Sequence, residues 1–137
     1  MRRFELDPRL KRDTVRIARL GLCDLRLMND SRWPWTILVP QRNDLVEFHE
    51  MTPLDQTMLT FEMGLVAAAL KRETGAHKIN IATLGNAVPM FHLHVVARDE
   101  GDPNWPGPVW GFGTALPYEE GRAEAMAQRL AHAVMDA

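Results

Sequence analysis

Apolar positions along this chain recur at two periods, and the switch between them divides it into elements. Val15, Ile17 and Leu20 with Leu22, then Leu25, Leu27 and Met28, are aliphatic or β-branched and are interrupted by Gly21, which predicts two short strands and a turn. Asn29 to Pro34 is turn chemistry, and Trp35 to Val39 is a short apolar run stopped by Pro40, read as a central strand. Thr52-Pro53-Leu54-Asp55 is a helix start: Thr52 can cap, Pro53 suits the first helical position, and Asp55 can reach back as the acidic partner of a capping box. The helix that follows carries two adjacent stripes at 3.6-residue spacing. One is Met58, Phe61, Leu65 and Ala68, and the other is Leu59, Met63, Val66 and Leu70. So wide a face fits a helix lying in a concave sheet, or one that covers its own sheet and also meets a second subunit. Gly75 supplies the left-handed stop.

Beyond it, residues 78 to 84 alternate, Gly85-Asn86 makes a turn, and a second strand is predicted from about Val88 to Arg98, the two pairing as a hairpin. Residues 102 to 117 hold Pro103, Pro106, Pro108 and Pro117 with Gly107, Gly111 and Gly113, an irregular loop with Trp105 and Trp110 as anchors. Its length hints at function. Glu119 to Ala137 reads as a last helix whose Met126, Leu130 and Val134 form a thin stripe suited to an edge. The order of elements gives an α+β fold with a mainly antiparallel sheet of about five strands, one long helix and a C-terminal helix.

Composition narrows the class of protein. The length of 137 residues fits one domain, expected to span residues 1 to 137, and 46% hydrophobic with 25% charged residues is ordinary globular usage. A net charge of -2 provides no global field toward nucleic acid or an anionic membrane, so any phosphate has to be held by local groups. The single cysteine, Cys23, has no partner for an internal disulfide and sits between Leu22 and Leu25, as a buried free thiol would. The N-terminus runs straight into charge, and no apolar run is long enough to span a bilayer. A cytoplasmic protein is expected.

Chemistry concentrates in Met90-Phe91-His92-Leu93-His94-Val95-Val96-Ala97-Arg98. Strand alternation puts Phe91, Leu93, Val95 and Ala97 on a core side and Met90, His92, His94, Val96 and Arg98 on the other, with the two imidazoles roughly 7 Å apart along the strand. A neutral imidazole is a competent nucleophile at neutral pH, and a second can donate to phosphate oxygens or help a leaving group take up a proton. Two other readings stand beside this one. The pair can be polar residues on a solvated sheet face, or two ligands of a small metal-binding protein, although His49, His77 and His132 complete no obvious set.

The run Gly85-Asn86-Ala87-Val88-Pro89-Met90-Phe91-His92-Leu93-His94-Val95-Val96 resembles the signature of the histidine triad (HIT) superfamily, in which three alternating histidines follow a glycine turn. Trp35 to Pro40 looks like the family's first central strand and Phe48 to Thr52 like its lead-in to the long helix, so the resemblance covers roughly residues 20 to 100. It implies a nucleotide-phosphate hydrolase or nucleotidyl transferase, close to the diadenosine tetraphosphate hydrolase branch, acting on dinucleoside polyphosphates or nucleoside phosphoramidates, and a homodimer. His92 falls on the middle histidine, the nucleophile that forms a nucleotidyl-histidine, and His94 on the third, which faces the phosphate and leaving group. Asn29 and Asp30 fall where the family addresses the ribose hydroxyls, and they serve equally well as plain turn residues. Asn80 lies near a phosphate-side or backbone-orienting amide. Backbone N–H groups from Gly85 through Asn86 to Ala87 are placed to meet phosphate oxygens. Met90 occupies the first triad position. There the resemblance fails, because a thioether cannot donate the hydrogen bond through which the family's histidine orients the nucleophile. A nucleotide-binding module that has lost turnover is therefore the alternative to an enzyme.

Overall fold

Period-two alternation in five strands builds a sheet that is covered on both faces. The computed structural model describes residues 2–136. In chain order the elements are α1 (Pro8–Asp13), β1 (Thr14–Arg19), β2 (Cys23–Met28), β3 (Trp35–Pro40), a 3₁₀ turn (Phe48–Glu50), α2 (Pro53–Thr74), β4 (Lys78–Ala82), β5 (Leu93–Arg98) and α3 (Arg122–Met135). Every strand pair is antiparallel and the spatial order is β1-β2-β3-β5-β4, so the α+β architecture expected from the pattern is the one present.

The core lies between α2, α3 and one sheet face, where Leu25, Leu27, Leu38, Phe91, Leu93, Val95 and Ala97 meet Leu59, Val66, Leu70 and Leu130. Of the two stripes on α2, the one containing Leu59, Val66 and Leu70 is inside, with Met63 at its border, while Met58 and Phe61 remain exposed together with Leu54. Glu62, outside both stripes, is buried. Its carboxylate accepts from the N–H groups of Leu22 (2.8 Å) and Cys23 (2.9 Å) and fastens the β1–β2 turn to α2. The α2 cap is half of the box expected: Thr52 accepts from the Asp55 N–H, but the Asp55 carboxylate turns to Arg42 at 2.8 Å and does not reach back. Gly75 stops the helix at φ 68°. Burial pushes the Cys23 thiol well up from its ordinary value, as expected of an inert cysteine.

Four elements differ from the sequence pattern, among them β4, which stops at Ala82 and not at residue 84. The helix α1 has no counterpart in that pattern; Asp7 caps it by accepting from the Arg9 N–H, with Pro8 in the first position. β5 begins at Leu93 and not near Val88, because its ladder with β3 ends at the Leu38–Leu93 pair and its ladder with β4 ends at Ala82–His94. The freed backbone groups go elsewhere. The Phe91 N–H donates to the Leu45 carbonyl (2.9 Å), and the Thr83 hydroxyl donates to the His92 carbonyl (3.0 Å). α3 starts at Arg122 after a left-handed Gly121 and lies across α2 and the edge strand β1.

The second sheet face is not a solvated one. Trp33, Trp35, Ile37, Val39 and Val96 form an apolar cluster there, closed by Leu10 of α1 with Phe4 and Leu6 on one side and by Val109 and Trp110 of the 102–117 segment on the other. Arg98 anchors that segment. Only 1% exposed, its guanidinium meets both oxygens of Asp102 at 2.8 Å and the carbonyl of Gly107 at 2.8 Å.

Candidate functional site

His92 sits one residue before β5, where the chain has left the β4 ladder but still follows strand alternation, and its ring therefore enters the second face. It is 6% exposed. Its Nδ1 lies 2.7 Å from the carbonyl oxygen of Met90. A carbonyl only accepts, so Nδ1 carries the proton, and the neutral ring then has its lone pair on Nε2, the tautomer a nucleophile needs. The backbone of position 90 thus performs the orientation that its side chain cannot. The Met90 thioether acts elsewhere, where its Sδ accepts from the Asp7 N–H at 3.4 Å and ties the N-terminal segment to the site.

His94, 5% exposed and directly opposite Ile37 on β3, has its Nδ1 occupied from the other side. The Trp35 indole Nε1–H donates to it at 2.9 Å, so His94 carries its proton on Nε2. Burial, and next the neighbouring His92, push its pKa down to about 3, leaving it neutral at physiological pH. The two imidazole rings meet edge to face, 4.9 Å apart between centroids. Trp110 packs against His94, its ring centroid 5.3 Å from that of His94 and 6.3 Å from that of Trp35. Its Nε1 is the one buried side-chain nitrogen or oxygen without a partner among the described residues.

Asn29 and Asp30 line a cavity of about 360 Å³ together with Met28, Arg32, Trp35 and Phe112. Trp35 is common to both places, lining the cavity and donating to His94. Asp30 is buried, and burial raises its pKa, but hydrogen bonds from the Arg32 side chain and from the N–H groups of Arg32 and Leu116 outweigh that and hold it below the usual carboxylate range. The Asn29 Oδ1 accepts from the Tyr118 N–H at 2.9 Å. Both residues therefore fasten the returning 112–118 chain, as turn residues would, while lining the cavity.

The 85–90 loop is exposed at Asn86 and Ala87, and the Ala87 carbonyl accepts from Arg9 Nη1 at 3.1 Å. Gly85 turns it at φ 73°, a conformation that favours glycine. Asn80 is not brought to the imidazoles: its Oδ1 accepts from Arg98 Nη1 at 3.1 Å and belongs to the anchor of the 102–117 segment. The sequence pattern gave Trp35 a place in a strand and Trp110 in a loop but neither a part beside the histidines, and it passed over Asp7 and Arg9. Trp35 shares strand parity with Ile37 and Val39, but only the β3–β5 register puts it beside His94. Among the described residues no group of three or more His, Cys, Asp or Glu side chains could hold a metal ion, and no helix is long and apolar enough to cross a membrane.

The family model described as HIT domain matches residues 9–101, which takes in every strand and the histidine pair. The chain belongs to the HIT family. Its structure is similar to that of a histidine triad protein from Sinorhizobium meliloti 1021, at 63% identity and a TM-score of 0.92 over 94% of this chain and 96% of that one. HIT proteins from Marinobacter aquaeolei VT8 (40% identity, TM-score 0.94, 98% of each chain) and Bradyrhizobium japonicum (38%, 0.93, 97% of this chain and 99% of that one) are also similar. No curated protein matches the chain. HIT-family proteins are nucleotide-binding proteins of the hydrolase or transferase type, and the imidazole pair of this HIT protein is its chemically equipped element.

Proposed function

We propose that this HIT protein is a hydrolase or nucleotidyl transferase that works through a nucleotidyl-His92 intermediate, with dinucleoside polyphosphates, of which diadenosine tetraphosphate is the type, as the favoured substrate class and nucleoside phosphoramidates as the other. The observation that carries it is the 2.7 Å contact between His92 Nδ1 and the Met90 carbonyl, which leaves Nε2 as a ready lone pair. The nucleoside occupies the cavity beside Trp35, with Asn29 and Asp30 toward the ribose. The α-phosphate lies over His92, between the N–H groups of the Gly85–Ala87 turn with Asn86 and the Nε2–H of His94. Attack by His92 splits phosphoryl transfer into two steps, and water or another acceptor resolves the second. That Met90 fills the first triad position is compatible with turnover, since backbone supplies the orientation.

The working unit in this reading is a cytoplasmic homodimer. Leu54, Met58 and Phe61 on the outer side of α2 are exposed, and Ile81 is exposed on the edge strand β4, apolar positions that a second copy would cover. The whole chain acts as one domain. The deciding experiment is intact-protein mass spectrometry after mixing with diadenosine tetraphosphate: a nucleotidyl adduct on wild type and none on His92→Ala supports the intermediate. Turnover with no adduct at any quench time, and retained in His92→Ala, overturns it.

A further inference from the structure

We propose that Trp35 is a positioning residue that locks His94 as a neutral Nε2–H donor, and that this lock makes the site select leaving groups that depart without a proton, phosphoric anhydrides over amines. The inference rests on the nucleotidyl-transfer reading for its second half and on geometry alone for its first.

An indole nitrogen has a proton to give and no lone pair to offer. With Trp35 Nε1 2.9 Å from His94 Nδ1, the imidazole must keep Nδ1 bare. A doubly protonated ring would set two N–H groups head to head. Trp35 has little freedom to yield, since it is buried and its ring meets Trp33 at 5.9 Å and Trp110 at 6.3 Å, both edge to face. The aromatic groups around His94 are Trp35, Trp110 and the His92 ring, and among the described residues no carboxylate hydrogen-bonds to it to favour a cation. The depressed pKa of His94 agrees with this arrangement.

His92 is fixed in the opposite sense, with its proton on Nδ1, so the pair presents one lone pair and one N–H. In the first step the Nε2 lone pair of His92 forms a bond to the α-phosphorus, and the bond from phosphorus to the leaving group breaks with its electron pair going to that group. A polyphosphate oxygen carries the pair away as a stable anion, and the Nε2–H of His94 needs only to hydrogen-bond a phosphate oxygen. An amine cannot leave as its anion; it requires a proton, and a ring that cannot become an imidazolium has none to spare. In the second step water attacks phosphorus, the N–P bond breaks with its pair returning to His92 Nε2, and the water proton passes to the product phosphate or to solvent.

The lock is read directly by long-range ¹H–¹⁵N NMR of the wild-type protein between pH 5 and 8. The expected result is His94 as the Nε2–H tautomer with no titration in that range; a Nδ1–H tautomer, or an imidazolium at pH 5, overturns the proposal. The selectivity is read from kcat/KM for diadenosine tetraphosphate against an adenosine phosphoramidate with an alkylamine leaving group. Wild type should favour the anhydride by about tenfold or more, and Trp35→Phe, which keeps an aromatic ring and removes the N–H, should narrow that preference by about tenfold, with His94 beginning to titrate. Equal rates in wild type, or an unchanged ratio in a folded Trp35→Phe variant, overturn it. If Trp35→Phe does not fold, the wild-type spectrum and ratio decide. Absence of turnover on both substrates removes the nucleotidyl-transfer reading and with it the leaving-group preference, while the tautomer measurement still decides the lock.

Discussion

The carbonyl of Met90 holds the ring of His92, two residues further along the chain, at 2.7 Å from Nδ1. A main-chain atom therefore fixes the tautomer of the proposed nucleophile, and the identity of side chain 90 is released for other work. Replacing His92 by alanine should abolish turnover, lowering kcat by orders of magnitude while nucleotide affinity stays within about tenfold, because a nucleophile acts in the transition state more than in the ground state. Rate and binding measured on the same preparation check this. A variant that keeps a tenth or more of the wild-type rate, on the scale of losses expected for an essential nucleophile, would contradict it.

The state of His94 makes stability depend on pH. Its folded pKa of about 3 lies below the ordinary 6.5, so between those values the unfolded chain binds a proton that the folded one does not. Stability is then lost as pH falls below 6.5, at up to about 1.4 kcal/mol per unit, and His94 contributes no slope above that value. Urea unfolding at pH 7 and pH 5 should show His94→Gln losing about 2 kcal/mol less than wild type over that interval. Equal losses in the two proteins would mean that His94 is not buried in its neutral form.

Phe61 is 65% exposed on the outer side of α2, while Met63, in the other stripe, packs at the border of the core. Phe61→Glu should therefore shift a homodimer to a folded monomer, since a charge placed in an apolar interface opposes association. Sedimentation at micromolar concentration distinguishes the outcomes. A wild type that sediments as a monomer removes the dimer from the reading.

Arg98 is the anchor of the segment that carries Trp110 against His94. Arg98→Met should cost about 3 kcal/mol or more, because Asp102 is left without its partner. It should also raise hydrogen exchange across residues 102 to 117 before the rest of the chain. Protection there equal to wild type would show that the segment holds its place without the ion pair.

Much of this molecule was legible in its sequence. Alternation alone sorted Phe91, Leu93, Val95 and Ala97 to the core, Pro53 and Gly75 bounded α2, and the resemblance around His92 and His94 pointed to the family. These are local properties, set by strand period, helix caps and side-chain type within a few residues. Tertiary structure decided the rest because it rests on register and on competition for hydrogen bonds between distant segments. β5 starts at Leu93 because Leu45 and Thr83 claim the backbone before it. Asn80 goes to Arg98 and not to the imidazoles, and Asp55 goes to Arg42 and not to its cap. Glu62 is buried because two N–H groups of the β1–β2 turn need an acceptor. The protonation pattern of the histidine pair is the clearest case. One proton is placed by a carbonyl two residues away and the other by an indole 59 residues away in sequence, and only the pairing of β3 with β5 brings that indole within 2.9 Å.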